Sequence, residues 1–306
     1  MPNFLLLLII FFSFSVKTYS QNERDKEIKE KILPFLNSES FYNKTKYDLV
    51  KKDLNELAKK YGYETDLQTR LLNASFHHKD TLYFKAQLSI LVEKFGYDIR
   101  YTSNKELYYY AITEGNMSSW FKKMYIKNHG IWLENNFEKL IDLHKLNQLQ
   151  IKDQIINKFA SKIYFSSSMS SEQKEIIQKE LNSFNLENIS ELNSIAQKID
   201  YYPNSKRFAV IQNGFQSLLI HNFQQKITMD KTWEYLFPLI KKSYLKFDLD
   251  NTIFQNYDFY SYLNNGYQEF NSYTIKDIPI QLRKNENEIP LKSIETFNKI
   301  KKEFNW

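Results

Sequence analysis

Three segments of this chain carry one pattern at an interval of 34 residues, and that recurrence constrains the fold more than any other feature. They are LNELAKKYGY from Leu54, LSILVEKFGY from Leu88 and FKKMYIKNHGI from Phe121, with glycines at Gly62, Gly96 and Gly130. Tyr42, Phe76 and Tyr110 repeat in another phase. Leu54, Leu57 and Tyr61, and again Leu88, Leu91 and Phe95, fall at i, i+3 and i+7, one apolar stripe of an α-helix. A glycine just past such a stripe, with lysine in the last turn, predicts a helix C-cap. Lacking a Cβ, it enters the left-handed region without a clash. Neighbouring hairpins must then stack, because one hairpin cannot cover its own apolar face.

A two-helix unit of this length resembles the tetratricopeptide-like repeat, although the small-residue signature of that family is largely missing; coincidental hairpins of similar length are the alternative. The resemblance implies a concave surface for a protein or peptide partner. Trp120, Tyr125 and Trp132 stand at helical spacing and are assigned to the core. His77 and His78 fall in a predicted turn. As neighbours on a helix they would point about 100° apart and could not readily chelate one ion. No metal or other cofactor is expected, although zinc held by histidine and carboxylate alone stays open.

Phe4 to Val16 reads FLLLLIIFFSFSV, followed by Lys17 and Thr18-Tyr19-Ser20-Gln21. An apolar core of about 7–15 residues before small residues is the pattern of a secretory signal peptide. Cleavage is expected between Ser20 and Gln21, with the mature protein periplasmic or secreted. The run is too short for a spanning helix, which needs about 20 apolar residues, so no stable membrane anchor is expected after cleavage. The chain has no cysteine, which excludes disulfides, thiol catalysis and thiolate metal sites. Its formal charge is +6. Removing residues 1–20 takes away Lys17 and no acid, leaving 41 − 36 = +5. The lysines are dispersed among acids, a solvated surface and not a nucleic-acid surface. The richness in Lys, Asn, Ile, Tyr and Phe, with Gln after the cleavage site, resembles exported proteins of Bacteroidetes bacteria. Asp80-Thr81-Leu82 resembles the Asp-Thr-aliphatic sequence that this group O-glycosylates on export.

The C-terminal half, 147–306, reads as a second helical domain behind a hairpin region at 21–146. Asn147 to Phe165 forms one helix, broken by Ser166 to Ser170. Ser170 with Gln173 predicts a capping box for the next, and Asn188 with Glu191 a cap for another. A helix over Lys206–Gln225 places Gly214, Ser217 and His221 on one line, apart from its apolar stripe. Such a line is either a close helix crossing or a shallow groove in which His221 serves as acid, base or ligand. Asp230 is expected to cap a helix kinked by Pro238. Past Phe247 the periodicity weakens. The segment from Asn264 to Ile280 reads as a short β-hairpin or irregular extended chain, and Leu291–Glu303 as helix. The fold class is all-α.

From Ile151 to Phe304 the chain resembles an uncharacterised, exported bacterial family known only as a domain of unknown function. The quoted steps are the Asp153-Gln154 pair, the Gln-His position at Ile220-His221, Tyr235-Leu236-Phe237-Pro238, the Asp-Arg position at Asp258-Phe259, Gln268 to Tyr273, and Pro279. The chain departs from that pattern at its arginines: Ile156-Asn157 follows where the family has an aromatic-Arg pair, and Phe259 stands for another Arg. The resemblance implies that Asp153, Gln154, His221, Asp258 and Gln268 converge in a cleft for a polar ligand or for acid–base hydrolysis. Two readings stay open. One is a non-enzymatic interaction protein. The other is a hydrolase-like enzyme with His221 as base, oriented by Asp153 or Asp258, and with Gln154, Gly214, Ser217 and Gln268 as binding candidates. No nucleophile elbow, phosphate loop or metalloprotease motif supports the second.

Overall fold

Helix ends in the N-terminal half fall where glycines and short polar side chains predict them. In this computed structural model, which describes residues 23–164, 168–207, 215–285 and 287–306, α1 (Glu23–Glu27), a π turn (Ile28–Ile32) and α2 (Leu33–Leu36) lead into α3 (Lys44–Tyr61), α4 (Thr65–His77) and α5 (Thr81–Phe95). Asn43 caps α3 by accepting from the Lys46 N–H at 3.0 Å. Asp80 caps α5 by accepting from the Tyr83 N–H at 3.3 Å, and it also binds the Tyr47 hydroxyl and Lys51 Nζ, which ties α5 to α3. Gly62 (φ 88°) ends α3 and Gly96 (φ 69°) ends α5. Gly96 is fixed by space as well as by φ, since a Cβ there would lie 2.3 Å from the Trp132 indole.

The third copy of the pattern breaks this rule. Gly130 caps nothing and lies inside α7 (Ser118–Tyr164), which follows the short α6 (Tyr109–Thr113) and runs for 47 residues. Trp132, Leu143, Leu146 and Leu149 continue the buried face beyond Gly130. One glycine costs a helix about 1 kcal/mol against alanine, too little to interrupt such a run. The stacked hairpins therefore end in one long helix, and the boundary expected after Leu146 falls within it.

The remaining helices are α8 (Ser171–Ile199), α9 (Gln216–Phe223), α10 (Lys226–Leu245), α11 (Thr252–Asn265) and α12 (Ile294–Phe304). Among the described residues there is no strand, only an isolated bridge between Gln268 and Leu291. No described helix is long and apolar enough to cross a membrane. The expected cleavage site at Ser20 and Gln21, and the segment holding Gly214, lie outside the described residues.

Caps divide into those that form and those that packing overrides. The Ser170–Gln173 capping box forms with both bonds. Asn188 and Glu191 start nothing: α8 passes through them, because Asn185, Ile189, Leu192 and Ala196 share one buried face across the proposed break. Asp230 is likewise internal, since α10 begins at Lys226 to bury Thr228 and Met229 in line with Thr232 and Trp233.

The chain forms two compact units, Glu23–Asp250 and Asn251–Trp306. In the larger, Tyr47, Leu54, Leu57 and Leu71 centre one apolar cluster, and Phe84, Leu88, Leu91 and Tyr108 the next. Trp132 is buried and Trp120 and Tyr125 pack against the second cluster, as their spacing suggests. Lys206 donates to the carbonyls of Tyr61 and Phe247, each at 2.6 Å, and so caps the end of α3. Burial pulls its ammonium below the usual lysine range while Glu64 opposes. In the smaller unit Tyr262, Ile275, Ile278 and Ile289 pack together.

Candidate functional site

Three helices of the larger unit bring polar side chains together, most of them buried, with Gln154 exposed. From α7 come Asp153, Gln154 and Asn157. From α8 come Asn185 and Asn188, one turn apart on its buried face. From α9 come Ser217, His221 and Asn222. Spacings of i+3 and i+4 place Asp153 with Asn157, Asn185 with Asn188, and Ser217 with His221 on one side of their helices, while Gln154 and Asn222 lie about 100° from their neighbours. Leu218, Leu219 and Phe223 anchor α9 beneath them. Its N-cap, Phe215, is buried at φ 57°, a left-handed conformation that costs a bulky residue energy and that packing must enforce.

The carboxylate of Asp153 is the hub, fully enclosed, and all its side-chain partners are donors. Oδ2 lies 2.9 Å from His221 Nδ1 and accepts from Gln154 Nε2 at 3.0 Å. Oδ1 accepts from Asn157 Nδ2 at 3.1 Å. Asn157 Nδ2 reaches on to Asn185 Oδ1 at 3.2 Å, and Asn222 Nδ2 donates to the Asn185 carbonyl, also at 3.2 Å. With Nδ1–H held by Asp153, His221 presents Nε2 as its basic edge. The His221 side chain is 20% exposed and Asp153 is sealed. Nε2 has no hydrogen-bond partner among the described residues.

On α8 and α9 four polar atoms are buried and unpaired among the described residues, namely both side-chain atoms of Asn188, the hydroxyl of Ser217 and Oδ1 of Asn222; the same holds elsewhere for Thr232, Ser261 and Asn265. Amide and hydroxyl groups of this kind are almost always bonded when buried. No arginine or lysine stands among them.

The two remaining candidates, Asp258 and Gln268, belong to the smaller unit, where backbone groups use them. Asp258 accepts from the N–H groups of Glu269 (2.8 Å), Phe270 (3.1 Å to each oxygen) and Ser272 (3.0 Å). Burial pushes its carboxyl up to about 7, and those N–H bonds pull the other way. Gln268 accepts from the Tyr273 N–H at 3.0 Å and donates to the Tyr273 carbonyl at 3.0 Å. The pair shapes the loop within 264–280, for which the sequence predicts a short hairpin or extended chain.

Asp153, Gln154 and His221 therefore meet, with Ser217 one turn before His221. Asn157, Asn185, Asn188 and Asn222 were not singled out from sequence as site residues. Their signal was present: asparagines on the apolar side of a helix. His77 and His78 pack on Tyr42 and Tyr47, and His78 Nε2 lies 3.0 Å from the Phe41 carbonyl. Among the described residues no cluster of metal-ligating side chains forms. Compared with protein families, with curated proteins and with solved structures, the chain matches none.

Proposed function

We propose that this chain is an exported binding protein without catalysis of its own, and that the α7–α8–α9 junction receives a small neutral molecule rich in hydroxyl or amide groups. The observation that carries the reading is the set of unpaired buried atoms on Asn188, Ser217 and Asn222. Each such atom costs a folded chain about 1–3 kcal/mol until something pairs with it. The set offers both donors and acceptors, as a sugar or amide requires. It lacks the bidentate cation that an anionic ligand would need. Export rests on the leader pattern, and a protein or peptide partner for the helical hairpins rests on their stacking.

Thermal-shift measurements on the purified protein test the reading, with sugars, amides, nucleotides and metal ions as probes. A neutral polyhydroxyl or amide compound at saturation is expected to raise Tm by about 5 °C, and His221→Ala to remove most of that shift. A response confined to nucleotides or metals, or one indifferent to His221→Ala, would falsify it.

A second reading has one specific observation in its favour. His221 is oriented by a buried carboxylate and keeps a free Nε2 at the surface, the arrangement of a general base. Hydrolysis of neutral esters or glycosides that disappears in His221→Gln would establish it.

A further inference from the structure

The outer side of α7 carries an apolar stripe that nothing in the described chain covers. Ile126, Phe137, Ile141, Ile151, Ile155 and Phe159 are each 60–73% exposed. They follow an 11-residue rhythm: Ile126, Phe137, Gln148 and Phe159 are 11 apart, as are Leu133, His144 and Ile155. Eleven residues make almost a whole number of helical turns, so the stripe runs straight along the helix without winding round it. At 1.5 Å per residue it is about 50 Å long. Six such side chains, at roughly 150–200 Å² each when fully exposed, offer on the order of 700 Å². That exceeds the largest apolar patch of most monomers and approaches the roughly 800 Å² that each partner contributes to a standard interface.

Gly130 adds a separate observation. It lies in the same stripe, exposed, with open space where its Cβ would be. A mid-helix glycine costs about 1 kcal/mol against alanine, and no contact within the chain requires this one. Close approach of another helix would give it a purpose.

We infer that the α7 stripe is the interface of an antiparallel homodimer, with a two-fold axis level with Asp142 and Leu143. That axis sets Gly130 opposite Ile155 of the second copy, a hole facing a knob. Ile126 then meets Phe159, and Ile141 meets His144. Phe137 comes to Gln148, at the edge of a groove of about 500 Å³ formed with Leu149, Ile151, Lys152 and Glu191.

Charge favours the same alignment. Glu134 and Glu138 flank the first half of the stripe and Lys145 and Lys152 the second, all exposed. Among the described residues none of the four is in an ion pair. A parallel pairing sets like charges together, whereas the antiparallel one brings Glu134 level with Lys152 and Glu138 near Lys145. The lysines at the ends, Lys122, Lys123 and Lys162, repel in either alignment and do not discriminate. Since each copy offers the same surface to the other, the contact closes on itself and needs no second kind of partner.

Sedimentation equilibrium of the purified protein tests this. The wild type is expected at twice the monomer mass at micromolar concentration. Ile141→Lys buries two unpaired charges at the axis and should weaken the dimer about 100-fold or more. Gly130→Glu should do so too while improving the isolated helix, so a loss of the dimer there is not a loss of fold. With no native cysteine, a single introduced one reports its own copy. Ile141→Cys should be joined by a short bismaleimide, and Ile126→Cys, its copies about 50 Å apart, should not. A monomer at 100 µM (the concentration chosen as ~100 times that at which dimer is expected) overturns the inference. So does a dimer indifferent to Ile141→Lys and Gly130→Glu, or one in which Ile126→Cys is joined as readily as Ile141→Cys.

Discussion

Asp153 and Asp258 are both sealed aspartates on helices, and their partners differ in kind. Asp258 is held by main-chain N–H groups of one loop, 11 to 14 residues away along the chain. Asp153 is held by side chains: Gln154 and Asn157 from its own helix and His221 from α9. Backbone donors cannot reverse their polarity, so Asp258 is committed to one task, holding the loop from Gln268 to Tyr273. Side-chain amides can flip and an imidazole can change tautomer. The Asp153 network can therefore rearrange, as the guest proposed for this junction would require. A buried carboxylate alone does not mark a site; what satisfies it does.

The widest separation between the two should appear on replacement by asparagine. Asp258→Asn sets a donor NH₂ against fixed N–H groups and is expected to cost about 3 kcal/mol in urea unfolding. Asp153→Asn should cost no more than about 1 kcal/mol, because Asn157, Gln154 and His221 can reorient. Equal losses would erase the distinction.

The pH dependence comes next. Burial pushes the Asp258 carboxyl up from its usual 3.8 to about 7, so the folded state holds the proton more tightly. Its stabilising contribution is complete below about pH 4 and declines as pH rises through 7, by at most about 1.4 kcal/mol per unit. Hydrogen exchange at the amides of Phe270 and Ser272 should therefore quicken between pH 4 and 7 beyond its intrinsic increase. A flat or opposite corrected trend would show that the N–H bonds outweigh burial.

The sequence made the helices and most of their ends legible, because caps and stripes are local. Gly62, Gly96, Ser170 and Gln173 act within a turn or two of themselves, and the structure uses each as expected. Gly130, Asn188 and Asp230 carry the same local signals and were overridden by buried faces that continue past them. Helix α11 escaped notice because its buried residues include Asp258 and Ser261, which dilute the apolar stripe formed by Ile253, Phe254 and Tyr257. At the site, Asp153, Gln154 and His221 were candidates from the sequence, His221 through its line with Gly214 and Ser217. Their grouping was not legible, since it depends on how α9 lies across α7. The asparagines were hidden for a related reason: a polar residue on a buried face looks like a cap or an exception until its neighbours are known.

The smallest effect is also the one that separates a site from a packing fault. Asn188 is buried with neither side-chain atom paired among the described residues. If evolution has retained it for a ligand, the unliganded protein bears an uncompensated cost at this position. Leucine has the same branching and the same number of side-chain heavy atoms, removes both polar atoms and suits the face shared with Ile189 and Leu192. Asn188→Leu should therefore raise stability by about 1 kcal/mol, read as a higher urea midpoint at unchanged slope. The same variant should lose the ligand-induced thermal shift. Asp258→Leu offers no such exchange, since it strands several N–H groups and can only destabilise. A substitution that gains stability and loses binding identifies a residue kept for something other than the fold. If Asn188→Leu instead lowers the midpoint, Asn188 is bonded within the protein, and the argument for a ligand at this junction falls with it.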